Sequence, residues 1–174
     1  MNKSKLNYSL TNVDINNFLG PNHIIRYRDL TRYSTIDQVF GDSNFVIVLI
    51  ESKLNSGHWV CLITHTDGTI EQFDSYNGTI DHELNFISKE TRGKLGEMNN
   101  LLTNLLKNRK TVYNKYQFQK LDPDVDTCGK WVICRLIMFI EEGMNISQFT
   151  KWYKGLMKTT GLESDNLVCM LIQP

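Results

Sequence analysis

The sequence predicts one domain of mixed α and β structure. Its 174 residues match the size of a single domain with a real hydrophobic core. Two patterns carry the prediction. In the first half, apolar β-branched runs alternate with turn signals, as in a hairpin of strands. In the second half, the segment that follows Cys128 is apolar on nearly every side, which is typical of a helix buried in a core.

The N-terminal quarter predicts two short helices. Thr11 is a suitable N-cap for the first, which has Asp14 in its first turn and ends at Gly20–Pro21. The second helix covers 35–40 and ends at Gly41. The segment between them is locally basic and fits either a solvated surface or a contact with a substrate or partner. Its members are Arg26, Tyr27, Arg28, Arg32 and Tyr33.

Three strands are predicted next along the chain. The run 45–50 is continuously apolar and β-branched, which is typical of a strand buried on both faces. A polar turn leads to the second strand, 58–64. Asp67-Gly68 is a strong hairpin signal and joins this strand to the third, 69–74.

The register of this hairpin decides whether His58 and Asp74, both at its open end, can meet. A two-residue turn would pair Cys61 with Asp74 and place His58 on the other face. A three-residue loop with a glycine bulge would pair Val60 with Asp74. His58 would then be a diagonal neighbour on the same face, roughly 7 Å away between backbones. A catalytic pairing therefore requires the bulged or a longer loop.

The second half of the chain is predicted to be mainly helical. Residues 82–110 carry leucines at helical spacing and form one apolar, core-packing face. Residues 111–119 are predicted as a strand that leads to the loop before Cys128. After the buried helix, Gly143 breaks the chain and an amphipathic helix follows. The last apolar segment, 167–172, fits either a helix or a strand.

Composition narrows the class of protein. The net charge is zero, which argues against a general binder of nucleic acid or membrane surfaces. The four cysteines are widely spaced and several lie in apolar runs, which is typical of reduced, buried thiols. The first seven residues have no apolar signal core, and the longest apolar run is interrupted by Arg135 and too short to span a bilayer. We therefore expect an intracellular protein without a membrane segment.

Cys128 lies at a predicted helix start, a setting that activates thiols. Asp126 or Thr127 can cap the helix, which places Cys128 in the first turn. There, free backbone N–H groups and the positive helix end favour an anion such as a thiolate. Gly129 leaves the sulfur open to a substrate carbonyl. The alternative is a cysteine that only packs at a helix start.

A cysteine nucleophile needs a base, and the base needs an orienting group. His58 follows a glycine and begins a strand beside Trp59, so we predict His58 as the base and Asp74 as the group that orients its imidazole. A zinc site at Cys61 and His65 is disfavoured, because on one strand these residues lie about 13 Å apart. The other histidines compete poorly as the base, since they lie in loop-like contexts or at the hairpin tip: His23, His82 and His65.

Acyl transfer also needs hydrogen-bond donors for the developing oxyanion. Gln119 is predicted to supply a side-chain N–H beside the backbone N–H of Cys128. Gln117 competes with Gln119 for this role, and the choice between the two stays open.

The order of these residues resembles a known clan of cysteine peptidases. Gly57-His58-Trp59, Phe73-Asp74-Ser75-Tyr76, a glutamine and Thr127-Cys128-Gly129 follow the order His, Asp, Gln, Cys of the adenovirus maturation protease (adenain) and SUMO-deconjugating protease clan. The resemblance covers roughly 45–139 and is strongest to capsid-maturation proteases of large DNA viruses and virophages. One departure is the spacing from Gln119 to the cysteine, which is longer than in the clan.

The resemblance implies an α+β fold, adenain-like and papain-like. In it, a central buried helix that carries the nucleophilic cysteine packs on a mostly antiparallel sheet that carries the histidine and aspartate, with further helices at the flanks. The chain 1–174 would be one peptidase domain that needs no cofactor and no metal. The implied substrate-binding residues are Trp59 and Gly129. The implied catalytic residues are Cys128, His58, Asp74 and Gln119.

The resemblance also implies a function. The chain would be a viral cysteine endopeptidase that cleaves capsid-protein precursors during virion maturation, by a Cys-His-Asp thiol mechanism. Members of the clan favour small residues, often glycine, at the cleavage site. An isopeptidase that removes ubiquitin- or SUMO-like modifiers with the same site is one alternative, and a non-catalytic interaction module with a vestigial site is another.

The implied setting is a monomer in the cytoplasm or nucleus of an infected host cell, packaged in the virion. The resemblance implies polypeptide substrates, namely viral capsid precursors, as partners, and it implies no membrane partner. A DNA or peptide activator is known in the family, but the neutral charge gives no support for DNA. The basic segment 26–32 is where DNA would bind.

Overall fold

The computed structural model describes residues 3–21 and 23–174. Of the first seven residues, which are predicted to have no apolar signal core, Met1 and Asn2 lie outside the described residues. The strands are β1 (Ile24–Arg26), β2 (Phe45–Lys53), β3 (Ser56–Thr64), β4 (Ile70–Phe73) and β5 (Thr111–Tyr113). The helices are α1 (Lys3–Leu6), α2 (Asn12–Leu19), α3 (Ile36–Phe40), α4 (Lys89–Leu95), α5 (Leu101–Leu106), α6 (Cys128–Glu142), α7 (Ile146–Thr160) and α8 (Ser164–Leu171). Two 3₁₀ helices cover Tyr27–Arg32 and His82–Phe86.

The fold is α+β, and its five strands form one mixed sheet in chain order. The inner pairs, β2–β3 and β3–β4, are antiparallel, whereas the outer pairs, β1–β2 and β4–β5, are parallel. The expectation of a mostly antiparallel sheet is corrected in this respect. Parallel neighbours need a crossover, and here helical connections after β1 and after β4 supply it.

Helices cover both faces of the sheet and enclose two layers of core. As predicted, α6 is buried on every side from Cys128 to Leu136, and it packs on β3. Helices α2, α7 and α8 pack in the same core layer as α6, and this layer contains the fully buried Trp131. The opposite face of β2 and β3 packs against the 3₁₀ helices, α3 and α5.

A buried ion pair ties the cysteine helix to the sheet. Arg135 of α6 donates two hydrogen bonds of 2.7 Å each to the carboxylate of Glu71 on β4, and both side chains are fully buried. His65 contacts the same carboxylate at 3.0 Å. This contact fixes the position of α6 relative to the strand that ends just before Asp74.

The predicted strand 111–119 is much shorter in the structure, since β5 ends at Tyr113. Asn114 replaces the main-chain pairing beyond this point. Its side chain accepts a hydrogen bond from Asp74 N at 2.9 Å and donates one to Asp74 O at 2.6 Å. Gln117 and Gln119 therefore lie in an irregular segment and not on a strand.

Most predicted helix boundaries are confirmed. Thr11 and Thr35 form capping boxes at the starts of α2 and α3, which end at Gly20 and Gly41. The region 82–110 is divided into three short helical pieces, and the last apolar segment is helical. No helix in the described part of the chain is both long enough and apolar enough to cross a membrane.

Candidate active site

The hairpin between β3 and β4 has the bulged register that the catalytic hypothesis requires. His65 N donates to Thr69 O at 2.9 Å, which leaves a three-residue loop in which Gly68 takes a φ of +78°. Only glycine adopts this backbone conformation without a steric cost. Cys61 pairs with Phe73, so the same register continued by one residue places Asp74 opposite Val60.

This register brings the predicted base and its orienting group together. His58 Nε2 lies 2.8 Å from Asp74 Oδ1, and the Asp74 side chain is completely buried. The same carboxylate oxygen accepts a hydrogen bond from Tyr76 N at 2.8 Å. Because Nε2 faces Asp74, the other ring nitrogen of His58, Nδ1, is left for Cys128.

Cys128 is the first residue of α6 and is 3% exposed. It lines a pocket of about 200 Å³ together with His58. Thr127 occupies the N-cap position, as predicted, but its hydroxyl donates to Asp165 Oδ1 at 2.5 Å instead of capping the helix. The first backbone N–H groups of α6 therefore have no side-chain cap, and they remain able to stabilise a negative charge beside the sulfur.

The electrostatics of the site favour a charged imidazole. Burial alone would lower the pKa of His58, but the Asp74 carboxylate and the Cys128 side chain outweigh it and raise that pKa well above its usual value. Burial would raise the pKa of Asp74, yet the charge and hydrogen bond of His58 hold it below its ordinary value. An imidazolium next to Cys128 is the partner that a reactive thiolate needs.

The predicted oxyanion donor is not directed into this pocket. Gln119 is 1% exposed, and its amide nitrogen donates to Tyr76 Oη at 2.9 Å and to Val125 O at 3.0 Å. Its amide oxygen accepts from Ser75 Oγ at 2.8 Å. Gln117 donates to Gln119 O at 2.9 Å. Neither glutamine lines the pocket that contains Cys128.

Trp59 and Gly129 pack against Leu10, which lies just before α2, and neither residue lines the pocket. The indole N–H of Trp59 donates to Leu10 O at 3.0 Å. A Cβ at position 129 would approach Leu10 Cβ to 2.9 Å and Trp59 Cδ1 to 3.3 Å. Glycine therefore lets the N-terminal segment pass close over the start of α6, which differs from the substrate-binding role predicted for both residues.

Two pocket residues were missed as functional candidates. The Tyr76 ring stacks on the His58 imidazole, with ring centres 4.7 Å apart and an angle of 17° between planes. In the sequence, Tyr76 stands out only as the last residue of Phe73-Asp74-Ser75-Tyr76. Glu83 belongs to the 3₁₀ helix His82–Phe86, which contributes Glu83 and Phe86 to the lining of the pocket. No local pattern signals the approach of Glu83, because it depends on tertiary structure.

Glu83 adds a second buried carboxyl to the site. One ligand atom each from His58, Asp74 and Glu83 lies within 4.8 Å of the other two, a spacing that a metal ion could use. The direct hydrogen bond between His58 and Asp74 instead favours a catalytic pair. Burial, followed by the Asp74 charge, raises the pKa of Glu83 against the opposing effect of His58. Beside the ionised Asp74, the Glu83 carboxyl therefore favours its protonated form.

The remaining cysteines are free and buried, and none lines this pocket. Burial raises the pKa of Cys61, raises that of Cys134 to about 12, and also raises that of Cys169. These thiols stay protonated near neutral pH. Cys128 is therefore the cysteine that the structure places beside an imidazole.

The basic segment 26–32 is largely neutralised by acidic partners. Arg26 and Arg32 pair with Asp29 at 2.7 and 3.1 Å, and Arg28 pairs with the buried Glu51 at 3.3 Å. These ion pairs give the arginines a structural role, so the segment adds no support for DNA binding.

Comparison with known proteins places the chain in a viral family. No protein-family model matches it. The central domain of the uncharacterized Lpg1148 protein from Legionella pneumophila is similar at a TM-score of 0.46 and 13% identity, over 95% of this chain and 94% of that one. Uncharacterized protein V9 of Sputnik virophage is 34% identical over 166 residues, which span 94% of this chain and 93% of V9. The chain therefore belongs to the family of this virophage protein.

Proposed function

We propose that this virophage-related protein is a cysteine endopeptidase that processes viral structural-protein precursors during virion maturation. The observation that carries the proposal is that Cys128 and His58 line one pocket, while Nε2 of the histidine lies 2.8 Å from the buried Asp74 carboxylate. These residues come from a helix start, a strand and a strand end. A nucleophile, a base and an orienting group in this arrangement support acyl transfer.

The geometry supports a two-step reaction. The Cys128 thiolate attacks the scissile carbonyl, and a C–S bond forms as the carbonyl electrons move to oxygen. Uncapped N–H groups at the start of α6 stabilise this oxyanion. His58 then protonates the departing amine, and the C–N bond breaks. In the second step, His58 takes a proton from water, hydroxide attacks the thioester, and the thiolate leaves.

The size of the pocket supports a preference for small residues at the cleavage site. About 200 Å³ is below the range of about 300–1,000 Å³ that is common for ligand pockets. The rim includes Phe86, which is 71% exposed and offers an apolar contact to an extended peptide. A glycine-containing segment suits such an opening.

Because the chain belongs to the family of a virophage protein, we infer that the enzyme acts in the infected host cell and travels in the virion.

Co-expression with the structural proteins of the same virus tests this proposal. The wild-type chain should release fragments with defined new termini, which peptide mass spectrometry identifies. Cys128→Ala should release none, while Cys169→Ala, which removes a thiol away from the pocket, should cleave as wild type does. Cleavage of Gly-Gly-linked ubiquitin- or SUMO-like modifiers, with intact structural proteins, would instead assign an isopeptidase. No turnover with either substrate class would contradict a peptidase.

A further inference from the structure

Tyr76 occupies a position at the candidate site that sequence patterns did not assign. Its ring lies flat on the His58 imidazole, and its side chain lines the same pocket as Cys128. Stacking on His58 and the hydrogen bond from Gln119 to the phenol oxygen together hold the Tyr76 side chain in one position at this pocket. A rigid donor in such a position needs no reorganisation during a reaction.

The glutamine that was expected to contact substrate holds this phenol instead. Gln119 Nε2 donates to Tyr76 Oη at 2.9 Å, and Ser75 Oγ fixes the orientation of the amide by donating to Oε1 at 2.8 Å. Because the phenol oxygen accepts from Gln119, its own proton must point elsewhere. Within residues 3–21 and 23–174, that hydroxyl donates no hydrogen bond, so its proton is available to a substrate.

The surroundings also keep the hydroxyl protonated. Burial raises the pKa of Tyr76, and the negative charge of Cys128 raises it further. Asp126, Glu83 and Asp165 act in the same direction. The phenol therefore remains a hydrogen-bond donor at every pH at which the enzyme would work.

We propose that the Tyr76 hydroxyl is the side-chain donor to the oxyanion, and that Gln119 and Ser75 are positioning residues that act through it. The inference rests on the proposed peptidase function. In the tetrahedral intermediate, the phenol O–H and a backbone N–H at the start of α6 would both donate to the former carbonyl oxygen. The phenol proton stays on its oxygen, so no proton transfer is involved.

Acylation by p-nitrophenyl acetate tests this role, because attack on the ester carbonyl creates an oxyanion and releases p-nitrophenolate. Alkylation of Cys128 by iodoacetamide provides the contrast, since that displacement creates no oxyanion. Tyr76→Phe retains the stacked ring and removes only the donor. We expect its acylation rate to fall about 100-fold, the usual effect of losing one oxyanion donor. Its alkylation rate should match that of the wild type.

Matched variants complete the test. Tyr116→Phe removes a hydroxyl whose partner is Met157 Sδ, away from the pocket, and should change neither rate. Gln119→Leu should slow acylation less than Tyr76→Phe, because the phenol loses its anchor but keeps its proton. The inference would be overturned if Tyr76→Phe acylated as fast as the wild type while Gln119→Leu acylated much more slowly. The oxyanion role would then return to Gln119. A wild-type protein that neither acylates nor alkylates rapidly at Cys128 would instead contradict the proposed function itself.

Discussion

Replacement of Arg135 by methionine tests how the cysteine helix is held against the sheet. The substitution keeps an unbranched side chain but removes both 2.7 Å hydrogen bonds to Glu71. Both partners are 0% exposed, so the relevant precedent is a buried ion pair and not a surface one. Removing one member of a buried pair typically costs about 3–5 kcal/mol, because the other charge stays buried without compensation.

The structure points to the lower end of this range. His65 remains 3.0 Å from Glu71 and can still stabilise its carboxylate. We therefore expect Arg135→Met to lower the free energy of unfolding by about 3 kcal/mol, a large share of the stability of a typical domain. Urea denaturation at pH 7, followed by tryptophan fluorescence, measures this difference. Arg109→Met is the matched control, since its partner Asp37 is 74% exposed, and it should cost less than about 1 kcal/mol.

The loss in Arg135→Met should also depend on pH. Burial would raise the pKa of Glu71, but hydrogen bonds from His65 and Arg135 hold it below its usual value of 4.5. The stabilisation is therefore present above pH 4.5 and disappears as pH falls through the lowered pKa of the folded state. The two proteins should differ less in acid than at pH 7. Equal, small losses in Arg135→Met and Arg109→Met would refute this reasoning.

Two further substitutions probe the site. A Cβ at Gly78 would lie 2.3 Å from Asp74 Oδ2, so Gly78→Ala should displace the carboxylate from His58. Iodoacetamide should then label Cys128 more slowly than in the wild type below pH 7. An unchanged labelling rate would exclude this crowding. Glu83→Gln should become increasingly more stable than the wild type as pH rises above 4.5, because the raised pKa of Glu83 makes its ionisation destabilising in the folded state. Urea denaturation at pH 4 and pH 7 checks this, and a constant difference would contradict a raised pKa.

Local chemistry explains why several elements could be predicted from the sequence. Thr11 and Thr35 satisfy helix N–H groups with their own side chains, so these boundaries need no tertiary information. Cys128 begins α6 as expected, because a polar loop meets an all-round apolar segment there. The meeting of His58 and Asp74 was predicted only on condition of a bulge, and the conformation of the loop supplied it.

Long-range contacts explain what the sequence did not show. The strand after position 110 ended early because the Asn114 side chain bonds to the backbone of Asp74, forty residues away. The partner of Gln119 is Tyr76, at a separation that no periodic pattern records. Glu83 lines the pocket through a 3₁₀ helix that is distant in sequence from both His58 and Cys128. Each of these side chains could contact several different partners, and only the folded structure determines which one it contacts.

The pH dependence of Cys128 alkylation tests most directly whether this site is an activated thiol. Iodoacetamide labelling, located by peptide mapping, is measured from pH 5 to pH 9 on the wild type and on His58→Ala. The raised pKa of His58 predicts rapid labelling of Cys128 near pH 6, and slow labelling in His58→Ala until the pH approaches the range in which ordinary thiols ionise, about 8.5. Identical profiles for the two proteins, or faster labelling of another cysteine, would contradict a thiolate–imidazolium pair.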